Sequence, residues 1–136
     1  MITLADYWMG RDERFAGDLT TAIRDNAKLT VDRANALLER FAAATGNTTP
    51  RRVNSGWRPP AVNAATRNAA PRSKHRTGEA IDIGDDDEAL DRWCMTPAGR
   101  AALEALGLWL EHPSATPRWC HVQTVPPRSG NRVFHP

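Results

Sequence analysis

Between Ser73 and Asp82 the chain places a histidine (His75), a glycine suited to a tight turn (Gly78) and a carboxylate (Asp82). Imidazole nitrogen and carboxylate oxygen are two of the three common zinc-ligand types. A third ligand has to come from elsewhere, and His121 is the best supplier. It falls in Trp119–Val125, where alternation puts Trp119, His121 and Gln123 on one strand face and Cys120 and Val122 on the other. Asp82 sits between Ile81 and Ile83 in a run, 80–84, that reads as a strand, so its side chain points away from theirs. If the two strands are neighbours, Asp82 and His121 meet over one cavity. Two imidazoles and a carboxylate leave a fourth position open for water, as a catalytic zinc requires. Spacing alone leaves a plainer alternative open, because a His and an Asp so spaced are usually surface or capping residues. The same ligands would also suit other transition metals.

The elements that must position these residues can be read from periodicity. Thr3 can cap a short helical turn through Ala5, Tyr7 and Trp8. The longest helix is expected from about Leu19 to Ala44, where Ile23, Ala27, Val31, Ala34, Leu37, Leu38 and Phe41 form one apolar stripe. Gly46, Asn47 and Pro50 end it. Val53–Ser55 reads as a short strand, and 60–71 as a long surface loop holding a short helix. The acidic run 85–88 lacks calcium-loop spacing and reads as a helix N-terminus, with Ala89, Leu90 and Trp93 following. Thr96–Pro97 starts another helix and Gly107 stops it. Segments 108–111 and 119–125 read as strands joined by a proline-containing turn, and the tail 126–136 as irregular. Short helices followed by short strands predict an α+β domain with a small antiparallel sheet packed against helices. N-terminal scaffold helices would occupy about 1–46, a core carrying the site 51–125, and the tail the remainder.

Composition bounds the function. At 136 residues, 40% hydrophobic and 25% charged, the chain has the size and balance of one globular domain. A net charge of +2 suits weak attraction to an anionic polymer such as a cell wall. It is too small to imply nucleic acid, and no basic run is interleaved with aromatics. Nothing near the N-terminus reads as a signal peptide, and no apolar stretch is long enough for a membrane span. Synthesis in the cytoplasm is therefore expected. Cys94 and Cys120 are too few for a disulfide scaffold and read as reduced, partly buried thiols. No P-loop, dinucleotide fingerprint or nucleophile elbow is present.

The segment Ser73-Lys-His75-Arg-Thr-Gly78-Glu-Ala80-Ile-Asp82 fits the pattern S-x-H-x-x-G-x-A-x-D. Upstream, Asn54-Ser55-Gly56-Trp57-Arg58 fits S-G-[YW]-R, and downstream Trp119-Cys-His121-Val fits W-x-H-V. These three motifs, in order over roughly half the chain, resemble the LAS group of zinc peptidases. That group includes D-Ala-D-Ala carboxypeptidases and phage L-alanyl-D-glutamate endolysins of the Hedgehog/DD-peptidase fold. The resemblance implies one zinc ion on His75, Asp82 and His121. It places Arg58 and Ser73 against a peptide substrate, with Arg58 also helping to stabilise developing charge. Gln123, on the His121 face, is a candidate for polarising substrate or water, or for a structural hydrogen bond.

The chain departs from the family at the catalytic base. Many members carry glutamate three residues before the last histidine, where Arg118 stands here, and a guanidinium cannot accept a proton. Glu111 is the substitute candidate, since on the strand 108–111 it shares a face with Trp109. A phage-type subset has a similar G-L-W-x-E-x-P segment followed by T-P-x-W-x-H-x-Q. His112 reads as a turn residue and His135 as an exposed tail residue. The implied function is a peptidoglycan peptidase acting on stem peptides or cross-links, of the phage or prophage endolysin kind. Such an enzyme would be a monomer that reaches the periplasmic wall after a holin-type partner permeabilises the membrane. A bacterial D-Ala-D-Ala carboxypeptidase and a zinc-binding module without catalysis are the alternatives.

Overall fold

The computed structural model describes residues 1–136. Six α-helices and five strands follow one another along the chain: α1 (Leu4–Trp8), α2 (Arg11–Arg14), α3 (Thr21–Thr45), β1 (Val53–Ser55), α4 (Pro60–Ala65), β2 (Ala80–Gly84), α5 (Ala89–Cys94), α6 (Pro97–Leu106), β3 (Trp109–Glu111), β4 (Trp119–Gln123) and β5 (Val133–Phe134). Together they form a small single α+β domain, as the order of elements predicts. No helix is long and apolar enough to cross a membrane.

Helix ends follow local chemistry. Thr3 caps α1 in a reciprocal box with Asp6, and the Thr20 hydroxyl accepts from the Ile23 amide at the start of α3. Thr96 caps α6, Pro97 takes its first position, and Gly107 closes it in a left-handed conformation. The acidic run does precede a helix. The buried Asp85 carboxylate accepts from the Leu90 and Asp91 amides of α5, and pairs with the largely buried Arg51.

Strand order in the sheet is β1-β2-β4-β3-β5. The first three pairings are antiparallel, but β5 lies parallel to β3, with Leu110 beside Val133 and Glu111 beside Phe134. The sheet is thus mixed rather than antiparallel, and the tail is not wholly irregular. Only two residues of the tail pair, too few for a period-two pattern to be visible in the sequence.

One sheet face is the core. Ile81, Ile83, Leu110, Cys120 and Val122 are fully buried there, in one cluster with Ala27, Val31, Ala34, Leu37 and Phe41 of α3 and Leu103 of α6. Burying side chains of this size contributes about 1.5–3 kcal/mol each, so the strands' odd-even register is strongly specified. Both cysteines are free and fully buried, deeper than the partial burial expected. With the apolar side of β2 and β4 committed to α3, Asp82, His121 and Gln123 are directed to the other face.

Candidate metal centre

Register brings the first two ligands together. Asp82 of β2 stands directly across from His121 of β4. The Asp82 Oδ1 to His121 Nδ1 distance is 2.8 Å. His75 comes from a 3₁₀ turn, Lys74–Thr77, that Ser73 caps and Gly78 ends. Gly78 needs to be glycine for two reasons. Its φ is +76°, and a Cβ would lie 2.8 Å from the Ile23 carbonyl oxygen of α3. Thr30 of α3 also donates its hydroxyl to the Gly78 carbonyl, so the long helix clamps the turn.

His75 is buried, and its ring is aimed by Nδ1, which lies 2.8 Å from the Gly56 carbonyl oxygen. A carbonyl only accepts, so Nδ1 carries the proton and Nε2 presents a lone pair. That Nε2 has no hydrogen-bond partner and stands 3.3 Å from Asp82 Oδ1. An orphaned, buried acceptor is costly unless something fills its place. One ligand atom from each of His75, Asp82 and His121 lies within 4.8 Å of the others. Donor set, convergence and the orphaned nitrogen all fit a metal ion.

Electrostatics agree. Burial pushes the Asp82 carboxyl up, but His75 and His121 together outweigh it and hold the group well below the usual carboxylate range. Burial, helped by the neighbouring His121 and Arg58, pulls His75 down against the opposing charge of Asp82, keeping its imidazole neutral and able to ligate. For His121 burial also lowers, yet the Asp82 hydrogen bond and the nearby Glu111 carry it above its ordinary value.

The remaining candidates gather around this cluster. Continuing the β3–β4 pairing brings Glu111 beside His121, and its Oε2 is 3.7 Å from His121 Nδ1. Burial raises the Glu111 pKa. Arg58 is buried, hydrogen-bonds the Ser73 hydroxyl at 3.3 Å, and leaves Nε unpartnered. Its charge faces Asp82 and Glu111. Gln123 is buried, with Oε1 3.3 Å from His121 Nε2 and its amide nitrogen donating to the Val125 carbonyl at 2.8 Å. Arg118 is exposed and turned away to Asp86. His112 caps the turn that follows β3, through Ser114, and its ring stacks on that of exposed His135 at 4.4 Å.

Two contributors were not apparent in the sequence. Phe134 of β5 sets its ring edge-on to His121, with centroids 6.3 Å apart. Gly56 supplies the carbonyl that orients His75, and its own Cα has no room for a side chain. A Cβ there would lie 1.9 Å from the Tyr7 carbonyl oxygen. The glycine was visible within a motif, but its contact with Tyr7 spans too much sequence to be read from spacing. Comparison with family models, with curated proteins and with solved structures finds no match for this chain.

Proposed function

We propose that the protein is a zinc-dependent peptidase that hydrolyses a peptide bond in the stem peptide or cross-link of bacterial peptidoglycan, of the phage or prophage endolysin kind. The observation that carries this reading is the convergence of His75, Asp82 and His121, with a half-buried carboxylate, Glu111, 3.7 Å from one ligand nitrogen. When bound, a zinc ion supplies Lewis acidity, polarising a peptide carbonyl and lowering the pKa of water to about 7.

The chain's own residues supply the rest. Glu111, with a pKa raised by burial, is suited to take a proton from the attacking water and return it to the leaving amine. Arg58 has a free Nε and a fixed fork, and can hold a peptide carbonyl or a carboxylate in two-pronged geometry. The Ser73 hydroxyl, already bonded to Arg58, orients the same portion of the peptide. A cleft of about 410 Å³ that none of His75, Asp82, His121 or Glu111 lines is bounded by Ser73, Trp57 and Asp18 and by the basic Arg72, Lys74 and Arg76. Such a lining favours the acidic stem peptides of a cell wall over neutral ones. Access to that wall would depend on a holin-type partner.

Arg58 also favours a second reading, a D-Ala-D-Ala carboxypeptidase, because a buried guanidinium is well matched to a terminal carboxylate. Mass analysis of products from purified wall fragments separates the two. Internal cleavage that frees new amino termini within the stem is the expected result; release of single terminal D-alanine would establish the carboxypeptidase instead. No cleavage of either kind by zinc-loaded protein would overturn both.

A further inference from the structure

Two ligand histidines in one site do not have to use the same ring nitrogen, and here they face the cluster with different ones. His75 presents Nε2, because Nδ1 is spoken for by the Gly56 carbonyl. His121 presents Nδ1, 2.8 Å from Asp82 Oδ1, and turns Nε2 towards the Gln123 side chain. We propose that Gln123 is the positioning residue that makes Nδ1 the metal-binding nitrogen of His121, an inference that rests on the metal-centre reading above.

The argument follows from donors and acceptors along one short chain. The Val125 carbonyl can only accept, so the Gln123 atom 2.8 Å from it has to be the amide nitrogen. That fixes the amide orientation and turns Oε1 to His121 Nε2 at 3.3 Å. Oε1 also only accepts, so Nε2 carries a proton. Asp82 Oδ1 only accepts as well, so without an ion Nδ1 also carries a proton, and it is this proton, facing Asp82, that an ion shared with Asp82 would replace, leaving Nε2–H on Gln123.

Geometry keeps the relay in place. Gln123 is 4% exposed, and water has little access to substitute for it. It lies two residues after His121 on β4, on the same face, and Trp109 of β3 stands across from it. Gln123 is therefore engaged at both ends of its amide, which is the condition for orienting a ligand rather than for meeting a substrate. Partners of this kind typically change metal affinity 10–100-fold when removed.

The test uses the full chain and zinc alone. Histidine-labelled, zinc-loaded protein is examined by long-range proton–nitrogen NMR, and zinc affinity is measured by competition with a chelator. The expected result is His75 bound through Nε2 and His121 through Nδ1, with a protonated Nε2 on His121. Gln123→Leu keeps the volume and removes the acceptor, and should weaken zinc about 10–100-fold. Gln123→Glu keeps an acceptor towards Nε2 and should recover most of that loss, which a purely structural role would not produce. Circular dichroism confirms that both variants fold, and Gln123→Met replaces Gln123→Leu if the latter does not. His121 bound through Nε2, or unchanged affinity in the folded leucine or methionine variant, would overturn the inference while leaving the metal centre intact. Failure of the native protein to bind zinc would instead overturn the metal-centre reading, and this inference with it.

Discussion

Asp82 and His121 are cross-strand partners in the centre of the sheet, on β2 and β4, with carboxylate and imidazole in contact at 2.8 Å. Their neighbours Ile81, Ile83, Cys120 and Val122 are all fully buried on the opposite face. A one-residue slip of either strand would turn that strand's apolar side chains out and its candidate ligand in. The hydrophobic core thus sets the register that brings Asp82 and His121 of the candidate metal site together.

The carbonyl that orients His75 depends on Gly56 remaining a glycine. Gly56→Ala would drive a methyl group into the Tyr7 backbone and is expected to cost about 2–3 kcal/mol or more. Zinc affinity should fall with it. Gly17→Ala, where nothing lies within 4 Å, is the control and should change little. Urea denaturation of the two variants makes the comparison, and equal stability would remove Gly56 from the account.

Glu111→Gln keeps the shape of the side chain and removes the base. Turnover of peptidoglycan fragments is expected to fall about 10²–10⁴-fold. Zinc affinity should stay within a few-fold, because the ligand atoms belong to His75, Asp82 and His121. Turnover at the native rate would show that another group takes the proton.

Arg58 is held at a cost to stability. It is buried, carries one side-chain hydrogen bond, to Ser73, and has an unpartnered Nε. In zinc-loaded protein, Arg58→Met is expected to raise stability by about 1 kcal/mol while lowering kcat/KM by about 10–100-fold. Thermal unfolding and steady-state kinetics of the same sample check both halves. A loss of stability with no loss of activity would make Arg58 a structural residue.

Asp91 predicts how stability responds to pH. Burial pushes its carboxyl up to about 6, with Asp85 adding to the rise. Its folded pKa therefore lies above the unfolded value, and the unfolded chain binds fewer protons between the two. Stability is full below about pH 4 as far as this group is concerned, and falls as pH rises towards 6. Above that the cost persists at roughly 2–3 kcal/mol. Asp91→Asn, which keeps an oxygen for the Thr116 hydroxyl, should thus be more stable than the native protein at pH 7 and lose that advantage near pH 4. Urea midpoints at several pH values decide; a pH-independent difference would contradict the assignment.

Much of this architecture was legible in the sequence because its signals are local. Thr3, Thr96, Pro97 and Gly107 mark helix ends through short-range hydrogen bonds, and the apolar stripe of α3 repeats long enough to be unmistakable. Alternation likewise placed Asp82 and His121 on the faces they occupy. The pairing of β5 with β3 was not legible, since two residues carry no periodicity and the partner lies across the tail. Nor were the supports of the ligands. Gly56 holds His75 from 19 residues away, and the Gln123 amide takes its orientation from a backbone carbonyl whose position no spacing reveals.

The most direct test of the metal centre is a calorimetric titration of metal-free protein with zinc, run beside Asp82→Ala and His121→Ala. One ion per native chain, bound at least 100-fold more weakly by each variant, is the predicted outcome. That difference corresponds to about 2.7 kcal/mol or more. Native protein that takes up no zinc, or variants that bind it as tightly as the native chain, would contradict the account at its foundation.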